Sequence, residues 1–199
     1  RQPTDLAEII EVLGKAAIPD AARNGITLVT EVTGPVVCDG DPVRLEQVVW
    51  NLLSNARKFT PTGGEIRISV KADAREACLE VADTGIGISE EFLPHIFELF
   101  SQGEVGPAYT STHAGLGIGL ALVRELVEAH GGRVRAASPG KGKGSTFTAW
   151  FPLAATGRDE TTESEASPAP LPRRILMVDD DVESITSLAQ VLELDGASV

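Results

Sequence analysis

The stretch Asn51–Pro61, NLLSNARKFTP, sets how the rest of this sequence is read. It is the second half of a helix. Asp41 before Pro42 supplies a capping carboxylate and a proline at the first helical position, and the apolar pattern runs from there to about Phe59. On this helix Arg44, Gln47, Asn51, Asn55 and Lys58 recur every three or four residues and share a face, while Val48, Val49, Leu52, Leu53, Ala56 and Phe59 take the remainder. A solvated face ordinarily carries Glu, Lys and Arg, because Asn is a poorer helix former by about 0.5 kcal/mol. Two asparagines on adjacent turns therefore either bond a neighbouring loop or face a polyanion with its metal ion. In the second case the amide oxygens are hard ligands for Mg2+ and Lys58 is a cation for phosphate oxygens.

Two glycine loops bear on that choice. In VADTGIGIS (81–89) a β-type run delivers Asp83 to its end, and Gly85 and Gly87 allow the backbone to pass close to a ligand. A carboxylate placed there can accept from an exocyclic amine, as an adenine pocket requires; the alternative is an ordinary turn. In AGLGIGLALVRELV (114–127), Gly115, Gly117 and Gly119 run into a helix start whose exposed N–H groups suit phosphate. The spacing matches neither the dinucleotide fingerprint nor the P-loop, which disfavours both of those folds.

Around these motifs the chain alternates strand and helix signals. DLAEIIEVLGKAAIPDAA (5–22) begins with helical spacing at Leu6, Ile9, Ile10 and Leu13, and Pro19 argues against a long uninterrupted helix. GITLVTEV reads as a strand, and GEIRISVKA and ACLEVA as an antiparallel hairpin across DARE. EEFLPHIFELF reads as a short helical stretch, followed by the aperiodic SQGEVGPAYTSTHA, a length typical of either a disordered segment or a functional lid. The helix GLALVRELVEAH stops at Gly131-Gly132, and GRVRAAS and GSTFTAWFPL close a domain near residue 153. Residues 154–172 have a linker composition. RRILMVDDD then reads as a buried-type strand leading into helical spacing.

The 199 residues are 42% hydrophobic, enough to bury a core, and the net charge of −12 argues against a nucleic-acid-binding surface. Cys38 and Cys78 lie in unrelated segments and read as buried or free thiols of a reducing compartment, with a disulfide or a metal site as the lesser alternative. No run approaches the roughly 20 apolar residues of a membrane span. The expectation is a cytoplasmic chain without membrane contact, either alone or as the cytoplasmic part of a membrane-anchored receptor.

Taken in order, NLLSNARKFTP, DTGIGI, FELF, GLGIGLAL and GKGSTF resemble the N, first glycine, F, second glycine and third glycine boxes of the catalytic ATP-binding domain of sensor histidine kinases. The resemblance implies a Bergerat-type α+β fold shared with gyrase and mismatch-repair ATPases: a two-layer sandwich of a mixed sheet with helices on one face. It implies ATP and Mg2+ as cofactors, with Asn55 on the metal, Asn51 and Lys58 on the phosphates and Asp83 on the adenine amino group. Phe59, Gly85, Gly87 and Ile88 would shape the adenine pocket, and Phe97 and Phe100 would anchor the base of the lid. Gly115, Leu116, Gly117, Gly119 and Leu120 would wrap the phosphates, with Thr146 near the base. In the ATPase relatives a glutamate occupies the position of Asn51 as general base. An amide there implies that the γ-phosphate is kept for a protein acceptor. Ala114 stands where another glycine is frequent in the family, and no Arg or Lys occurs between Ser101 and His113.

The acceptor implied is a histidine on a dimerisation helix, in a sequence resembling S-H-E-[LF]-R-T-P, which this chain lacks. His95 and His113 read as structural or exposed, and His130 as a helix C-terminal imidazole that the dipole would favour as a cation. Residues 1–24 read as the end of the dimerisation region and its joint, 25–153 as the catalytic domain, and 154–172 as a linker. RRILMVDDDVES resembles the first strand of a flavodoxin-like receiver domain, whose acidic pair, here Asp179 and Asp180, binds Mg2+; residues 173–199 are then a truncated receiver start. The expected partners are the phosphoacceptor helices of a homodimeric full protein and the receiver. The rival readings are a Bergerat-fold ATPase and a non-catalytic nucleotide-binding docking module.

Overall fold

The computed structural model describes residues 1–73, 75–101 and 117–154. The aperiodic segment with His113, Gly115 and Leu116, nearly all of the linker, and the receiver-like strand with Asp179 and Asp180 lie outside the described residues.

Among the described residues seven strands and three α-helices follow one another. The strands are β1 (Gln2–Asp5), β2 (Thr27–Val32), β3 (Val37–Gly40), β4 (Glu65–Ala72), β5 (Glu76–Asp83), β6 (Arg133–Ala137) and β7 (Ser145–Pro152); the helices are α1 (Leu6–Arg23), α2 (Pro42–Phe59) and α3 (Gly119–Ala129). The main sheet runs β2-β4-β5-β7-β6. Only β2 and β4 are parallel, because α2 crosses between them; the remaining pairs are antiparallel. This is the mixed sheet expected, and β4–β5 is the expected hairpin.

Burial alternates along the central strands. Ala77, Leu79, Val81 and Asp83 of β5 and Ser145, Phe147, Ala149 and Phe151 of β7 are buried, and the register sets each of these pairs opposite one another. They meet the apolar stripes of the helices, among them Leu45, Val48, Val49, Leu52 and Ala56 of α2 and Val123 and Val127 of α3, in one core. The other sheet face carries Thr146, Thr148 and Trp150, with the Arg133 guanidinium 4.5 Å from the Trp150 ring centroid.

Three expectations change. α1 runs unbroken to Arg23 with Pro19 inside it. Pro19 removes one helical bond, to the carbonyl of Lys15, but both residues are exposed, where water takes the freed carbonyl. Residues 1–24, read from sequence as a joint before the domain, contribute Leu6, Ala7, Ile9, Ile10 and Ala21 to the same core. The stretch before the lid contains only a 3-10 turn, Leu93–His95, because Pro94 has no N–H with which to continue a helix. Strands β1 and β3, which pair as a small separate sheet, are additions that the sequence reading lacked. Both cysteines are free; burial pushes the Cys38 thiol up to about 11.

Candidate nucleotide site

α2 starts as its cap predicts: the Asp41 carboxylate accepts from the N–H groups of Val43 and Arg44. Its polar face carries Asn51, Asn55 and Lys58, all half-buried. Among the described residues no side-chain hydrogen bond ties either asparagine to a loop. The Lys58 ammonium lies 4.8 Å from the Phe59 ring centroid, and desolvation holds it below the usual lysine range. α3 begins against this face: a Cβ placed on Gly119 would stand 3.5 Å from Asn51 Oδ1. The chain thus brings a helix start, two amides and a partly desolvated cation together.

The far end of α2 is laced to the first glycine loop. The Phe59 carbonyl accepts from Ile86 N–H at 3.0 Å, and a Cβ on Gly85 would stand 2.3 Å from that carbonyl oxygen, so only glycine fits. The loop is laced in turn to the third glycine box. Gly144 N–H donates to the Gly85 carbonyl at 3.0 Å and Gly142 N–H to the Ile86 carbonyl at 2.6 Å. Gly87, at φ +67°, leaves room for the Gly140 carbonyl, which a Cβ would approach to 2.1 Å. Ser138 holds the junction from its side chain: its Oγ accepts from Ile88 N–H at 3.0 Å and donates to the Gly144 carbonyl at 2.7 Å. Sequence reasoning had passed over Ser138, which carries no motif signal of its own.

Asp83 sits at the end of β5 with 8% of its surface exposed. One carboxylate oxygen accepts from Gly85 N–H at 2.8 Å and the other from the Ser145 hydroxyl at 2.6 Å. The expected partner at the base, Thr146, is corrected here. It follows Ser145 along β7, pairs with Ala82 rather than Asp83, and therefore projects from the opposite sheet face. Ser145 is the hydroxyl on this carboxylate.

Phe97 stacks edge-on to Phe147 with centroids 6.3 Å apart, whereas Phe100 is 69% exposed and at φ 61°. Phe100 N–H donates to the Gly117 carbonyl at 3.2 Å, so the two ends flanking residues 102–116 meet. His95 is exposed and paired with Glu98. His130 is corrected: it is buried, Nδ1 bonds the Leu126 carbonyl at 2.6 Å and Nε2 accepts from Asp41 N–H at 3.1 Å. The ring is thus held as a structural element, with Nε2 as an acceptor rather than as a charge at the helix end. Among the described residues no helix is long and apolar enough to cross a membrane, and no His/Cys/Asp/Glu cluster could hold a metal ion. The donor set that does fit a hard divalent cation with phosphate ligands is the amide-and-lysine face of α2.

The sequence matches the profile of the family described as histidine kinase-, DNA gyrase B- and HSP90-like ATPases over residues 40–155. It is similar to the sensor histidine kinase AruS of Pseudomonas aeruginosa, 43% identical over 98% of the chain and 19% of that protein. It is also similar to the circadian input-output histidine kinase CikA of Synechococcus elongatus, 37% over 80% of the chain and 21% of the relative. The aerobic respiration control sensor ArcB of Escherichia coli is 34% identical over the whole chain and 26% of its own length. The chain thus spans about a fifth to a quarter of these curated relatives. Among solved structures, the mycobacterial sensor histidine kinase MprB superposes with a TM-score of 0.65 at 29% identity, covering 76% of this chain and 97% of that one. Full-length ShkA, solved in complex with AMPPNP, gives 0.65 at 27% identity over 98% of this chain and 39% of its own. The matched span contains α2, both described glycine loops, α3 and the β5–β7 pair that hold the site together, and the chain belongs to the family of histidine kinase-, DNA gyrase B- and HSP90-like ATPases.

Proposed function

We propose that this domain binds Mg-ATP and presents the γ-phosphate to a histidine on dimerisation helices outside the chain, as the catalytic part of a hybrid sensor histidine kinase. The observation that carries the reading is the buried Asp83 carboxylate, shaped by Gly85 and Ser145, joined through Phe59 to the Asn51–Asn55–Lys58 face. Asp83 accepts from the adenine amino group. Asn55 offers its amide oxygen to the metal, and Asn51, Lys58 and the N-terminus of α3 face the phosphates. A bound Mg2+ would neutralise phosphate charge. In the transfer, a P–N bond to the acceptor imidazole forms as the bond from the γ-phosphorus to the bridging oxygen breaks, and ADP leaves with that electron pair. The residues of this chain contribute by positioning and charge. Asn51 is an amide without basicity, which favours transfer over activation of water.

The receiver start is proposed on Asp179 and Asp180 as a Mg2+-binding pair. It is supported by alignments to AruS and ArcB that run through the C-terminal residues.

The test supplies a histidine-bearing dimerisation helix pair in trans with γ-labelled ATP. Acid-labile label on the helices is expected. Phosphate released to solvent at a comparable rate would support the ATPase instead, and binding without either outcome would support the docking module.

A further inference from the structure

We propose that His130 is a positioning residue for this site: a neutral imidazole that latches the start of α2 to the end of α3 and so sets the opening between the Asn51 face and the start of α3. The inference rests on the nucleotide-binding reading above.

The two helices run in opposed directions, and α2 meets both ends of α3. At one end Asp41, the cap of α2, meets His130, the residue after α3. At the other, Asn51 meets Gly119, the first residue of α3. With eleven residues, α3 is about 16 Å long, so a change of angle at the His130 end is carried along a stiff rod to Gly119. The ring is 6% exposed and its contacts leave one arrangement. Nδ1 donates to Leu126, Nε2 accepts from Asp41, and Phe151 packs edge-on 6.2 Å away. Gly40 closes the other side, where a Cβ would stand 3.2 Å from the ring.

A proton on Nε2 would turn its one acceptor into a donor facing another donor. The Asp41 carboxylate is turned to the N–H groups of its own helix, and the Arg1 guanidinium to the Ala129 carbonyl, so neither replaces the ring as acceptor for the Asp41 N–H. A side chain that cannot accept there should loosen the latch and, through α3, the site.

The experiment measures Mg-ATP affinity of the whole chain by calorimetry at pH 8. Wild type is compared with His130→Gln, whose amide keeps a donor and an acceptor, and with His130→Phe, which keeps neither. His130→Gln should bind within about threefold of wild type, and His130→Phe about tenfold more weakly. In parallel, the Asp41 amide should be protected from hydrogen exchange in wild type and His130→Gln and lose that protection in His130→Phe; this readout needs no nucleotide. Equal affinity in wild type and His130→Phe, or an Asp41 amide equally protected in both, would overturn the latch. Folded wild type that binds no Mg-ATP at pH 8 would instead overturn the nucleotide reading and, with it, the role given to His130.

Discussion

Asp83 turns one carboxylate oxygen to Gly85 and the other to Ser145, and both contacts bear on what the residue can recognise. Asp83→Asn replaces one acceptor with a donor. It should weaken Mg-ATP binding by about 1.5–3 kcal/mol, roughly 10- to 100-fold, measured by calorimetry. Ser145→Ala should cost about 1 kcal/mol of that affinity, whereas Thr146→Ala, on the other face, should stay within about 0.5 kcal/mol. The reverse order would restore Thr146 to the site. Lys58, held low by desolvation, gives a signed expectation. Phosphates beside it favour the charged form and raise its pKa, so binding at alkaline pH should take up protons. Calorimetry in two buffers of different ionisation heat reads that uptake directly, and Lys58→Met should abolish it. The resemblance implied a carboxylate and a hydroxyl here and named Thr146 as the hydroxyl. In STFTAWF both sets of alternate residues contain large apolar side chains, Phe147 and Phe151 in one and Trp150 in the other, so the buried face could not be read from the pattern.

At the level of elements, α2, α3 and the β4–β5 hairpin were legible because each carries its own signal: a cap, a glycine stop, or a run of β-branched residues. The cap is open to test. Asp41→Ala should lower stability by about 1 kcal/mol in a denaturant melt with the m-value unchanged. Strands β1 and β3 were not legible. QPTD and VCDG have four residues each and no alternation, and they exist as strands because they pair with each other. Local propensity alone makes α1 doubtful at Pro19, but burial of Leu6, Ile9 and Ile10 outweighs one missing bond. The glycine loops were recognised as loops, but their lacing to one another is a tertiary fact. Gly87→Ala should therefore cost more than the roughly 1 kcal/mol of a positive φ, since its Cβ would meet the Gly140 carbonyl as well. A melt of that variant beside Gly142→Ala, where φ is also positive but space is open, separates the two contributions.

For the molecule as a whole, a ligand that binds only the folded state adds to its stability. At a hundredfold over Kd, Mg-ATP should contribute about 2.7 kcal/mol and raise the Tm by on the order of 5 to 10 °C in a thermal scan. Absence of a shift in wild type would leave the laced loops as architecture without a ligand. The parallel pairing of β2 with β4 also has a kinetic meaning. Thr27 lies beside Glu65, roughly 40 residues further along, whereas the β4–β5 hairpin closes through a short turn. The hairpin can form while the chain is otherwise open, but β2 can dock only after α2 has folded back over it. The order of assembly should then run outward from β4 and β5, with β2 joining late. Substitutions at Ile68 or Leu79 should slow refolding, and a substitution at Leu28 should mainly hasten unfolding. The one parallel seam in the sheet is thus where this domain should come apart first.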